Sequence, residues 1–219
     1  MKEDQQFLKL CEVVDILLGE NGCPWDKAQT HQSLRPLLLE ESYEVADAID
    51  NKDMAALKEE LGDLLLHIVL HSRLAEKENY FSLNEVIAQA AEKLIGRHTH
   101  IFGSDSASTP AEVEETWEAN KNKEKAIYTT LENIRAVPKA LPALVRAQKV
   151  IKRSETEFAD CHEEIRILLD KLEKTSLEEE KKEICGKIFF FMAVLSEKKQ
   201  INAEFSLTNA IQEFINTFE

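Results

Sequence analysis

The 219-residue chain carries a formal net charge of −14, with 43% hydrophobic and 31% charged residues and only six glycines and five prolines. Its acidity excludes a nucleic-acid polymer as partner, because holding a phosphate backbone takes many Lys and Arg. A small nucleotide stays open, since a metal and a few local cations can meet its phosphates. Scarce turn formers and few β-branched runs point to an all-α chain, with material for one large domain or two small ones.

Cys11, Cys23, Cys161 and Cys185 are widely spaced and form no CxxC pair, as expected of free thiols in a reducing compartment. The start, MKEDQQFLKLCEVVD, is charged throughout and reads as neither signal nor transit peptide. No apolar run approaches the roughly 20 residues that span a bilayer. A cytoplasmic protein without a membrane partner is expected.

In chain order, helical patterning begins near Phe7 and stops at GENGCPWD, where Gly19, Gly22 and Pro24 interrupt it. Ser33 is a candidate N-cap for a helix reaching about Asp50. After the turn NKD, Asp53 is a candidate cap for a helix from Met54 to about Glu76. The run LLLHIVL, Leu64–Leu70, is apolar all round and predicts a buried central helix. Ser82 should cap a helix through Leu94, and Pro110 fits the first turn of a helix holding Trp117. Past VPKALPALVRAQ, further helices are expected near 140–153, 161–174, 177–197 and 205–218. Short connections make an antiparallel bundle the default architecture. The composition shift places a domain boundary at 135/136.

The chemistry gathers in the first half. Helical residues three or four apart share a face, so Glu41 points with Glu44, and Glu60 with Asp63. Two antiparallel helices could bring the pairs face to face, where the charges repel unless a cation sits among them. An all-carboxylate donor set selects a hard ion, Mg²⁺ or Mn²⁺, over zinc. ExxE on a helix is also a common solvated face, but Glu60 and Asp63 abut the apolar run, where an uncompensated acid is costly. His67 and His71 continue the Asp63 stripe. Without a third ligand or an HExxH glutamate they read as core or supporting histidines rather than a zinc site. The Glu-x-x-His pairs of a di-iron bundle are absent at Glu60. Lys93 and Arg97 are either cations completing a helix end or a grip for phosphates. Trp117 is either core packing or an aromatic wall for a base.

The stretches CPWDKAQTHQSLRPLLLEESYEVADAI, KEELGDLLLHIVLH, KLIGRHTHIFG, ETWEANKNKEK and VPKALPALVRAQK together resemble the MazG family of nucleoside triphosphate pyrophosphohydrolases over about residues 7–150. The resemblance implies an all-α, four-helix-bundle-like domain, here 1–135, usually assembled as a homodimer whose subunits share the site. It implies Mg²⁺-dependent hydrolysis of nucleoside triphosphates to monophosphate and pyrophosphate, with Mn²⁺ as a possible substitute. It assigns the metal to Glu41, Glu44, Glu60 and Asp63, a helping role to the neighbouring acid Glu40, phosphates to Lys93 and Arg97, and substrate lining to Trp117. Gly96 and Thr99 depart from the family's RRHPH-like stretch, which should loosen that helix end. Residues 136–219 resemble a degenerate second MazG-like repeat. Glu163 and Glu164 persist there, while Ile167, Ile184 and Lys187 stand where further acids belong. Rival readings are a nucleotide-sensing regulatory protein and a structural helical adaptor.

Overall fold

The computed structural model describes residues 2–218, and every regular element among them is helical. Two compact units divide the chain, Met1–Ser106 and Ala107–Glu219.

The first unit contains α1 (Lys2–Leu18), α2 (Pro24–Lys27), α3 (His31–Asp50), α4 (Met54–Lys77), α5 (Leu83–Arg97) and α6 (Thr99–Phe102). Gly22 lies so close to the end of α1 that an added Cβ would fall 2.1 Å from the Leu17 carbonyl oxygen. Only glycine admits the turn that sends the chain on to Pro24. The cap of α3 is Thr30 rather than Ser33. The Thr30 hydroxyl accepts the Ser33 N–H at 3.1 Å, and the Ser33 hydroxyl accepts the Thr30 N–H at 2.9 Å. Ser33 is therefore the returning half of a capping box, three residues inside.

A tight turn reverses the chain after α3. Lys52 adopts the left-handed conformation at φ 56°, and the Asp53 N–H reaches back to the Ala48 carbonyl. Asp53 then caps α4, accepting the N–H groups of Ala55 and Ala56 at 2.9 and 3.0 Å. The result is an antiparallel α3–α4 hairpin. Cys11 and Val14 of α1, Leu34 of α3, Val69 and Leu70 of α4 and Leu83 of α5 form the core, so four helices supply it. Arg73 ties three of them. It pairs with Asp15 of α1 at 2.7 Å and with Glu76 at 2.7 Å, while Glu76 accepts the Leu83 N–H that opens α5.

The run Leu64–Leu70 corrects one expectation. His67, Val69 and Leu70 are buried, but Leu65 and Ile68 remain 37% and 46% exposed. Apolarity all round a helix predicts burial only when neighbours stand on every side, and among the described residues of the first unit none covers that flank of α4.

The second unit contains α7 (Pro110–Glu124), α8 (Thr130–Arg135), α9 (Ala143–Ser154), α10 (Cys161–Lys174), α11 (Glu178–Lys198) and α12 (Ala203–Asn216). It begins earlier than the boundary read at 135/136. Glu114 of α7 pairs with Lys152 of α9, and Arg153 of α9 donates to the Asn133 carbonyl of α8. These ties bind α7 and α8 to α9, so the division falls in the polar loop before Pro110. The core is Ile151, Cys161, Ala193 and Val194, joined by Leu144, Ala147, Phe158 and Phe191. In the KIFFFMAVL stretch of α11, Phe189, Phe190 and Met192 face outward and only Ala193 and Val194 are fully enclosed. The Gln148 side chain fastens α9 to the α11–α12 turn, donating to the Ile201 carbonyl and accepting the Ala203 N–H. All four cysteines are free thiols. Among the described residues no helix is long and apolar enough to cross a membrane.

Candidate metal centre

The hairpin turn makes the site. It folds the first half of α4 back along the second half of α3, and one carboxylate oxygen from each of Glu41, Glu60 and Asp63 then lies within 4.8 Å of the others. Glu44 sits beside this trio. It shares a hydrogen bond with Glu41 and its charge bears on both Glu41 and Glu60. Glu40 is exposed and stands outside the group.

Crowding shows in the proton affinities. Glu41 is pushed up to about 6, first by loss of hydration, then by the hydrogen bond to Glu44 and the negative charges of Asp63, Glu44 and Glu60. Glu60 is raised by the same kinds of cause, desolvation first and then Glu44, Glu59 and Asp63. Two carboxyls can share a hydrogen bond only if a proton lies between them, so the cluster holds either protons or a cation. The donors fit a hard divalent ion. They are all oxygens, and Mg²⁺ takes oxygen ligands at about 2.0–2.1 Å, within reach of oxygens already this close.

The other assigned residues are not part of that trio. Lys93 and Arg97 are half-buried one turn apart near the end of α5, with the Lys93 ammonium donating to Gln89 at 3.2 Å. Gly96 does not stop the helix, which continues to Arg97 before His98 breaks it. Trp117 is half-buried on α7 and belongs to the second unit.

Neither histidine of the HxxxH pair joins the acids as a ligand. Burial lowers the proton affinity of His67, against the opposing pull of Asp63. His71 meets His31, the first residue of α3, with their Nδ1 atoms 2.7 Å apart. No spacing pattern points to that partner, because His31 is forty residues away. Arg73 was equally silent, one cation among many until three helices converge on it.

Among the described residues the second unit gathers no comparable group of acids. Glu163 pairs with Arg166 and Glu183 with Lys187, so these two carboxylates already have a cation.

The MazG nucleotide pyrophosphohydrolase domain matches residues 29–102, from the cap of α3 to the end of α6, and so includes Glu41, Glu60, Asp63, Lys93 and Arg97. A nucleoside triphosphate pyrophosphohydrolase of Escherichia coli K12 is 36% identical over 210 residues, covering 91% of this chain and 80% of that protein. The nucleoside triphosphate pyrophosphohydrolase/pyrophosphatase MazG of Thermotoga maritima is 33% identical over 223 residues, covering 97% and 84%. The uncharacterized protein YabN of Bacillus subtilis is 42% identical over 149 residues, which are 67% of this chain and 30% of that one. With the acids of α3 and α4 gathered as they are, and relatives aligned along nearly its whole length, this chain belongs to the MazG family of nucleotide pyrophosphohydrolases.

Proposed function

We propose that this protein hydrolyses nucleoside triphosphates to nucleoside monophosphate and pyrophosphate at the α3–α4 carboxylates. The observation carrying this reading is the convergence of Glu41, Glu60 and Asp63 within 4.8 Å, inside the segment that matches the family. In the reaction, water attacks the α-phosphorus, the bond to the α–β bridging oxygen breaks, and that oxygen leaves with pyrophosphate. Glu41, Glu60 and Asp63, with Glu44 beside them, would hold Mg²⁺. Once bound, the ion supplies positive charge to phosphate oxygens and lowers the pKa of a coordinated water. Glu40, exposed at the edge, is assigned to steering water or an outer ligand. Lys93 and Arg97 are assigned to phosphate oxygens, where charge-assisted hydrogen bonds favour the triphosphate. Trp117 keeps its assignment as an aromatic surface for the substrate on the resemblance alone.

A homodimer in the cytoplasm completes the reading. Leu61, Leu65 and Ile68 form an exposed apolar stripe at i, i+4 and i+7 on α4, the flank a second copy would cover. The deciding experiment is pyrophosphate detection across a panel of triphosphates with Mg²⁺. Release that requires both the metal and Glu60 supports hydrolysis. Tight nucleotide binding without release would instead make the protein a sensor.

A further inference from the structure

The same hairpin that gathers the acids brings two histidines together at its other end. His31 and His71 approach Nδ1 to Nδ1 at 2.7 Å. Their planes differ by 3° and their centroids are 5.0 Å apart. With the nitrogens so close, the rings lie edge to edge in one plane rather than face to face. That is the geometry of a direct hydrogen bond, in which one nitrogen carries the proton and the other the lone pair.

The contact also fits the register of the acid site. Ten residues separate His31 from Glu41 along α3. On α4, eleven separate His71 from Glu60 and eight from Asp63. Antiparallel helices rise equally per residue, so one alignment satisfies the histidine pair and the carboxylates together. A slip at the histidines would carry Glu41 away from Glu60 and Asp63.

We propose that His31 and His71 are positioning residues, a clasp sharing one proton that fixes the register of α3 on α4, and that a second proton opens it. Two protonated rings would point N–H at N–H with like charges in contact. On its other side His71 meets no hydrogen-bonding group among the described residues, its Nε2 being buried, as is Nδ1 of His67. The groups acting on His71 are His31 across the hairpin and His67 on its own helix. From α1, Asp15 engages Arg73, two residues and about 200° further round α4. From α5, Glu85 acts on Glu76, five residues beyond His71 on α4. Burial, His31 and His67 all hold the proton affinity of His71 below its ordinary value, so acidification through the ordinary histidine range costs the folded state stability.

The test compares wild type, His71→Asn and His71→Leu as full-length proteins. Asn can place a hydrogen-bonding atom near the lost Nδ1 but takes no proton; Leu offers neither. In EDTA, between pH 8 and pH 5.5, wild type should lose about 2–4 °C more in Tm than His71→Asn, equivalent to about 1 kcal/mol. At pH 8, His71→Leu should need about five- to tenfold more Mg²⁺ for half-maximal hydrolysis, and His71→Asn should restore most of that loss. Parallel Tm profiles for wild type and His71→Asn would overturn the clasp, as would an unchanged Mg²⁺ requirement in His71→Leu. The kinetic arm alone rests on the proposed hydrolysis. If wild type releases no pyrophosphate, that reading fails while the metal-free Tm comparison still decides the clasp.

Discussion

Single carboxylates carry the sharpest consequences. Glu60→Gln and Asp63→Asn keep side-chain volume and remove a ligand charge, so either should abolish pyrophosphate release with the fold intact. The metal-free Tm should stay level or rise, because fewer charges crowd the cluster. Near wild-type turnover at saturating Mg²⁺ would dismiss the site. The raised proton affinity of Glu41 gives a pH dependence of definite sign. Its folded-state pKa of about 6 lies above the ordinary 4.5, so the folded state binds the proton more tightly. Stability of the metal-free protein from this group is therefore greatest below about 4.5 and is lost as pH rises through about 6. Calorimetry in EDTA should show that loss, and Mg²⁺ should reverse it. This trend runs opposite to that of His71, whose depressed affinity removes stability on acidification. On α5, Lys93→Ala or Arg97→Ala should weaken triphosphate binding about ten- to a hundredfold, the value of a charge-assisted hydrogen bond near 1.5–3 kcal/mol. Unchanged KM and kcat would leave them as ordinary helix-end cations.

At the scale of elements, the caps and turns of the first unit decide whether the acids meet. The capping box at Thr30 starts α3, the left-handed Lys52 reverses the chain and Asp53 starts α4. α5 carries a weakness of its own. Gly96 has helical backbone, and a Cβ added there meets nothing within 4 Å. Gly96→Ala should therefore stabilise the protein by about 0.5–1 kcal/mol, chiefly by restricting the unfolded chain. A thermal melt checks this, and a fall in Tm would mean that the glycine is needed for a contact made outside this chain. The reading that Gly96 loosens the helix end concerns its energy and not its course, since α5 runs through it.

At the scale of the whole molecule, the gathered acids belong to one unit. The second unit keeps Glu163 and Glu164 on α10, but Glu163 pairs with Arg166, and Glu183 on α11 is held by Lys187. Full-length protein carrying Glu60→Gln should thus show no residual pyrophosphate release. Residual activity that vanishes only when Glu164 is also changed would reveal a second active site. By itself the sequence determined the helical elements and the residues that could hold a metal, because helical period, caps and i/i+3 spacing are local properties. It marked Asp53, Ser82 and Pro110 at or next to true helix starts, and misplaced the start of α3 because Thr30 and Ser33 both have hydroxyls able to cap. Tertiary structure alone decided which acids converge, with Glu41, Glu60 and Asp63 together, Glu44 beside them and Glu40 outside. That depends on the register of two helices across a turn, which no spacing within one helix encodes. It also decided the exposure of Leu65, Ile68 and Phe189, because a side chain is buried by its neighbours and not by its own hydropathy. The His31–His71 contact belongs to the same class, a meeting of residues forty apart that exists only once the hairpin has closed.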